Sequence, residues 1–144
     1  MIVVVADTCA ILAAADRTHP DGRAATAALE QAGTIIISPM VLDEVDHLAR
    51  RVAAEARGRI IDGIIADARR SRVIIPEITP EILYEARSVI RRYADLDLDL
   101  SDAVSVALAA QYRTDAVLTL DYRDFRTIQP LTAHKAFRLL PADL

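Results

Sequence analysis

The chain of 144 residues is 53% hydrophobic and carries a formal net charge of −4 at pH 7. That length suits one domain, residues 1–144, with its own hydrophobic core, and no apolar run reaches the roughly 18 residues of a membrane span. The acidic balance argues against nucleic-acid binding through an overall positive field. The single cysteine, Cys9, cannot form an internal disulfide, and the N-terminus lacks the basic region of a signal peptide. We therefore expect a cytoplasmic protein with no membrane partner.

The first stretch predicts a strand that ends on a polar pair. Residues 2–6 are apolar and mostly β-branched, which is typical of a strand buried on both faces. Asp7 and Thr8 follow, and residues 9–15 have helical composition. Ligands of open α/β sheets bind beyond the carboxyl ends of the strands, so Asp7 is a candidate site residue. The alternative is that Asp7 only caps the helix, and Cys9 is interpreted as a small buried hydrophobe.

The next segments predict a helix to about residue 31, a second buried strand at residues 34–37 and a helix opened by Ser38 and Pro39. At 100° per residue, Glu44 falls on the flank of the apolar stripe of that helix and Asp43 points nearly opposite. Glu44 is therefore the better candidate. The stripe consists of Val41, Val45, Leu48 and Val52.

The middle of the chain continues the alternation. Residues 53–71 are expected to be helical, residues 72–75 form a third strand, and Thr79 with Pro80 opens a helix to about Tyr93. Ser101 is an N-cap candidate for a buried helix with Asp102 in its first turn, where exposed N–H groups favour negative charge. The isoleucines expected to point inward from the helix at 53–71 are Ile60, Ile61, Ile64 and Ile65.

A fourth strand is expected at residues 115–120, ending on Asp121. The following segment contains Phe125, Ile128 and Leu131 and is interpreted as a short edge strand. Strands that alternate with helices indicate an α/β domain with a mostly parallel sheet.

Four carboxylates in this pattern could meet at one edge of the sheet. Asp7 and Asp121 end strands, Asp102 starts a buried helix, and Glu44 flanks a buried face. Each has an ordinary structural explanation when taken alone, but two carboxylates about 4 Å apart repel by about 4 kcal/mol at an effective dielectric of 20. A divalent cation removes that repulsion, and an all-oxygen site favours Mg²⁺ or Mn²⁺.

Four motifs occur in an order that resembles the PIN-domain ribonucleases, in particular the VapC toxins of toxin–antitoxin systems. They are Val5-Ala6-Asp7-Thr8, Ser38-Pro39 followed by Glu44, Leu100-Ser101-Asp102-Ala103, and Leu118-Thr119-Leu120-Asp121-Tyr122-Arg123-Asp124-Phe125. The resemblance implies a three-layer α/β/α sandwich with four to five strands and Mg²⁺- or Mn²⁺-dependent endonuclease cleavage of RNA. It also implies a homodimer that is neutralised by a VapB-type antitoxin.

The resemblance also implies roles for individual residues. Asp7, Glu44, Asp102 and Asp121 match the catalytic, metal-binding quartet. Asp124 is an adjacent acid, ranked below Asp121, and the hydroxyls of Thr8 and Thr119 are possible outer contacts of the metal. Asp97 and Asp99 match no motif position and are interpreted as a solvated loop, and no residue is assigned to RNA binding.

Two other interpretations of the sequence remain open. An aspartyl-phosphate phosphatase also starts with a strand ending in Asp, but it requires a second Asp where this chain has Cys9. A non-catalytic PIN-like module that binds RNA or protein would share the fold, although it has no chemical need for four acids.

Overall fold

The sheet of this protein is parallel throughout, in a computed structural model that describes residues 2–52 and 54–144, without the Val52 side chain. Its five strands are short, which agrees with the four to five predicted. The strands are β1 (Val3–Ala6), β2 (Thr34–Ile36), β3 (Val73–Ile74), β4 (Ala116–Leu118) and β5 (Arg138–Leu140). The helices are α1 (Thr8–Ala15), α2 (Gly22–Gln31), α3 (Pro39–Val52), α4 (Arg57–Arg69), α5 (Pro80–Arg92), α6 (Leu100–Gln111) and α7 (Tyr122–Thr127).

The strand order places β1 and β4 side by side in the middle of the sheet. The order is β3-β2-β1-β4-β5, and Val5 of β1 pairs with Ile36 of β2 on one side and with Val117 of β4 on the other. The chain leaves β1 towards β2 and β3 and later returns to fill the opposite side. The gap between β1 and β4 is therefore the switch point at which α/β sheets bind ligands.

The two faces of the sheet bury separate hydrophobic clusters. Val5 and Val117 face α5 and α6, whereas Val4 and Leu118 face a cluster to which α1, α2, α3 and α4 contribute. Successive strand residues point to opposite faces, so continuous apolar strands are what a three-layer sandwich requires. The predicted three-layer α/β/α fold is confirmed.

Two predicted helix starts are confirmed by their capping bonds. The N–H of Met40 donates to the Ser38 hydroxyl at 3.0 Å before α3, and the N–H of Ile82 donates to the Thr79 hydroxyl at 3.3 Å before α5. Within the stripe predicted for α3, Val41 and Val45 are fully buried, and the side chain of Val52 lies outside the described residues.

Several predicted boundaries are wrong. The helix expected at 53–71 is shorter, because a turn precedes α4 at Arg57; Ala53 lies outside the described residues. Ile65 is 44% exposed rather than inward. Helix α6 begins at Leu100 with Asp99 as its N-cap, so Ser101 lies in the first turn and does not cap it.

The segment after Asp121 also differs from the prediction. It forms helix α7, and the edge strand is β5 further along the chain. Phe125 and Ile128 are spaced i, i+3, which fits a helix face better than a strand. Over the described ranges, no helix combines the length and apolar character needed to cross a membrane.

Candidate active site

Asp7 follows directly after β1 at the carboxyl edge of the sheet. Its Oδ1 accepts a hydrogen bond from the Thr8 N–H at 2.8 Å, so Asp7 does cap α1 as the structural alternative predicted. The residue is only 7% exposed, however, and its second oxygen faces β4. Burial raises the pKa of Asp7, although hydrogen bonds from Thr8, Thr119 and Cys9 act in the opposite direction.

Thr119 links the ends of the two central strands. Its fully buried hydroxyl donates to Asp7 Oδ2 at 2.9 Å and accepts the N–H of Asp121 at 2.9 Å. One hydroxyl therefore fixes the carboxylate after β1 and the backbone that carries the carboxylate after β4. The role predicted for Thr119, as an outer contact of a metal ion, stays a prediction.

Cys9 belongs to the same network, which sequence reasoning missed. Its thiol donates to Asp7 Oδ2 at 3.5 Å, and its sulfur accepts the N–H of Leu120 at 3.3 Å. Burial, together with the charge of Asp7, raises the pKa of this thiol. The available signal was the position of Cys9 in the first turn of α1, two residues after Asp7.

Three further acids converge beside this network. Asp102 in the first turn of α6, Asp121 at the N-cap of α7 and Asp124 in its first turn each place one carboxylate oxygen within 4.8 Å of the others. The structure thus brings together two members of the predicted quartet with Asp124. Sequence reasoning had ranked Asp124 below Asp121.

The electrostatics of Asp102 connect this cluster to the rest of the quartet. The pKa of Asp102 is raised to about 7, first by burial and then by the negative charges of Asp7, Asp121, Asp99 and Glu44, in that order. Asp99 had been interpreted as a solvated loop residue. It affects the pKa of Asp102 because it is the N-cap of α6, three residues before Asp102. Burial and negative neighbours both favour the protonated form of a carboxyl group, and a cation beside Asp102 would favour the charged form.

Glu44 and Asp43 are both exposed on α3, so burial does not distinguish them. Only the charge of Glu44 is among those that raise the pKa of Asp102. The preference for Glu44 over Asp43 therefore stands on proximity to the acid cluster and not on burial.

The donor set fits a hard divalent cation. Oδ1 of Asp124 is buried and has no hydrogen-bond partner among the described residues; the Nε of Arg123 lies 3.8 Å away. The buried hydroxyl of Thr8 has no partner in the same part of the chain. Buried oxygen atoms are rarely left unpaired, and a cation supplies what these carboxylates lack.

Comparison with known proteins identifies the family of this chain. Residues 4–129 of the chain match the PIN domain family. The chain belongs to the PIN domain family. The resemblance predicted from the four motifs is confirmed.

Relatives are similar over most of the chain. A ribonuclease of Mycobacterium tuberculosis, VapC26, is 29% identical over 140 residues, which are 96% of this chain and 100% of that protein. The crystal structure of M. tuberculosis VapC20, a toxin that cleaves the sarcin-ricin loop, superposes with a TM-score of 0.69 at 19% identity, covering 83% of this chain and 91% of VapC20. A toxin–antitoxin complex from Klebsiella pneumoniae has a TM-score of 0.61 at 26% identity and covers 92% of this chain and 98% of that chain.

Proposed function

We propose that this chain is a divalent-metal-dependent endoribonuclease and the toxin of a VapBC-type toxin–antitoxin pair. The observation that carries the proposal is the convergence of Asp102, Asp121 and Asp124 at the switch point beside buried Asp7. Membership of the PIN domain family and the likeness to the VapC26 ribonuclease support the same chemistry.

Asp7, Glu44, Asp102 and Asp121 would hold Mg²⁺ or Mn²⁺, and we add Asp124 to this set because its buried oxygen lacks a partner in the described chain. When bound, such an ion activates water and stabilises charge on a phosphodiester. Outside this inner set, the Thr119 hydroxyl holds Asp7 in place. We also propose the hydroxyl of Thr8, the residue after Asp7, as an outer contact of the ion.

The protonation state of Asp102 responds to a bound cation. The pKa of Asp102 is raised to about 7, so Asp102 holds a proton in part of the molecules at neutral pH and releases it when positive charge arrives. We assign the orientation of the attacking water to Asp102 or Glu44, because Asp102 belongs to the cluster and the charge of Glu44 acts on Asp102. The leaving oxygen would then become a 3′-hydroxyl and the other fragment a 5′-phosphate.

The proposed partners are a structured or single-stranded loop of RNA, a VapB-type antitoxin and a second copy of the chain. The K. pneumoniae complex and a VapBC2 complex of Rickettsia felis, solved with a promoter DNA fragment, support the antitoxin. The R. felis complex has a TM-score of 0.62 at 17% identity and covers 88% of this chain and 93% of that chain, so it supports the fold. A reducing cytoplasm suits the single thiol.

The phosphatase interpretation loses support from the position of Cys9. Where that chemistry needs a second carboxylate, the thiol is bonded to Asp7 and to the backbone of Leu120. Cys9 therefore takes part in holding Asp7 and cannot supply the missing acid.

Cleavage of bacterial total RNA tests the proposal. Purified, partner-free protein should give discrete fragments with Mg²⁺ or Mn²⁺ and none with EDTA. Asp7→Asn and Glu44→Gln should each lower the rate by on the order of 100-fold, since a lost ligand costs at least as much as a lost outer-shell partner. Asp43→Asn is the matched control, because it removes an exposed acid of the same helix and should retain cleavage.

Two results would count against the nuclease. Full metal-dependent activity in Asp7→Asn would show that the quartet is assigned wrongly. Absence of cleavage by metal-loaded wild type, together with normal growth of cells that express it without an antitoxin, would favour the non-catalytic binding module.

A further inference from the structure

Helix α7 carries two of the clustered acids but is too short to hold itself in place. It spans Tyr122–Thr127, with Asp121 as its N-cap and Asp124 in its first turn. A helix of this length gains little from its own backbone bonds, so contacts with the rest of the molecule decide where it lies.

Three contacts hold α7. At its start, the N–H of Asp121 donates to Thr119. In its middle, buried Phe125 packs edge-to-face on Phe137, with ring centroids 6.0 Å apart. At its end, Arg126 forms a two-pronged ion pair with Asp143, and both hydrogen bonds measure 2.6 Å.

The carboxylate of Asp143 is itself fixed by the end of β5. Its Oδ2 accepts the N–H of Leu139 at 2.8 Å, and the N–H of Asp143 donates back to the carbonyl of Leu139 at 2.7 Å. The guanidinium of Arg126, with the Leu139 bond, lowers the pKa of Asp143 to about 2. Arg126 is thus anchored to β5 through the carboxylate of Asp143.

The position of the Asp124 carboxylate depends on this anchoring. Its buried Oδ1 has no hydrogen bond among the described residues, and its ion-pair contact is with Arg123 of the same helix, at 3.8 Å and 81% exposed. The position of the carboxylate therefore follows the position of α7, and Arg126 lies two residues further along the same helix.

We propose that Asp143 is a positioning residue that, through its two-pronged bond to Arg126, sets the place of α7 and hence the distance of Asp121 and Asp124 from Asp102. The inference rests on the proposed function, because it assumes that these acids bind a divalent ion. It also assigns Arg126 a structural role in holding α7.

The chain contains a matched control for this ion pair. Arg138 and Asp115 also connect the β4 and β5 region, at the opposite end of these strands, with an N–O distance of 3.5 Å. Their side chains are 41% and 28% exposed, close to the 47% and 29% of Arg126 and Asp143. Asp115→Asn therefore removes one equally exposed negative charge without touching α7.

The test is the affinity of the whole chain for Mn²⁺, measured by calorimetric titration. Asp143→Asn and Arg126→Gln should each weaken binding by about fivefold, less than the roughly 10–100-fold typical of a direct partner of a metal ligand. The double variant should be no weaker than either single variant, because the two residues act through one bond. Asp143→Glu and the exchanged pair Arg126→Asp with Asp143→Arg should recover most of the affinity, and Asp115→Asn should retain it.

Hydrogen exchange of residues 122–128 gives a readout that does not depend on the metal. Exchange should be faster in Asp143→Asn than in Asp115→Asn. Unchanged Mn²⁺ affinity in Asp143→Asn, an equal loss in Asp115→Asn, or a folded exchanged pair that binds no better than Asp143→Asn would each overturn the proposal. Wild type that binds no Mn²⁺ would instead remove the metal site itself, and this inference with it.

Discussion

Helix α7 has a carboxyl group with a raised pKa near its start and a carboxyl group with a lowered pKa near its end. Near its start, burial among other acids raises the pKa of Asp102 to about 7. Near its end, the guanidinium of Arg126 lowers the pKa of Asp143 to about 2. Both residues are aspartates; Asp143 is paired with the guanidinium of Arg126, whereas Asp102 is partly buried among other negatively charged groups.

Asp143 is therefore an acid that stabilises the fold, whereas Asp102 belongs to a cluster that a ligand would stabilise. A carboxylate that contributes to folding is paired, as Asp143 is with Arg126. The cluster of Asp102, Asp121 and Asp124 concentrates negative charge that the fold would be more stable without. A protein retains such a cluster when a ligand compensates for it, which is the reason to assign the cation to this end of α7.

The largest effect is expected from breaking the link between β1 and β4. Thr119→Val keeps the shape of the side chain but leaves Asp7 Oδ2 and the Asp121 N–H without their shared partner. We expect Mn²⁺ affinity to fall by about 10–100-fold, and the free energy of unfolding by about 1–3 kcal/mol. Calorimetric titration and chemical denaturation measure the two effects.

Thr119→Ser is the control, because it retains the hydroxyl. It should bind Mn²⁺ nearly as tightly as wild type. Equal binding by Thr119→Val and Thr119→Ser would show that the hydroxyl does not position the acids.

A smaller effect is expected from the charge of Asp102 in metal-free protein. Its pKa is about 7 in the folded protein against an ordinary value of 3.8, so the folded state binds more protons between these values. Stability should therefore fall as pH rises from about 4 to about 7. Asp102→Asn should remove this slope and stabilise the protein at pH 8 by on the order of 1–2 kcal/mol, after discounting for partial exposure.

Chemical denaturation with EDTA at a series of pH values measures both variants. Asp143→Asn should change the stability of the protein in the direction opposite to Asp102→Asn. Its lowered pKa stabilises the fold above about pH 4, and that contribution is lost as pH falls towards 2. Asp143→Asn should thus be less stable than wild type at pH 8 and equal to it only in strong acid. If both variants changed stability in the same direction at pH 8, the contrast between the two ends of α7 would be wrong.

Much of the site could be predicted because its acids lie next to strong local signals. Asp7 follows a continuous β-branched run, and Asp102 opens an apolar helix, so each position was readable without the fold. The parallel topology then followed from the alternation of strands and helices. Because β1 and β4 are adjacent, Asp7 and Asp121, which come after these strands, lie at the same edge of the sheet.

The segment after β4 could not be predicted in the same way. Its helix has only six residues and its strand only three, too few for periodicity to decide between them. The role of Asp143 depends on a bond to Arg126, 17 positions away, and that of Cys9 on a bond to Leu120, 111 positions away. Contacts at such separations are set by packing and leave no local pattern in the sequence.

The most direct test of the account is a calorimetric titration of metal-free wild type and Asp124→Asn with Mn²⁺ at pH 6 and at pH 8. We predict that wild type binds Mn²⁺, more tightly at pH 8 because Asp102 has then lost its proton, and that Asp124→Asn binds it at least about 10-fold more weakly. Absence of binding by wild type at pH 8, or equal binding by Asp124→Asn, would contradict the assignment of the cluster as a metal site.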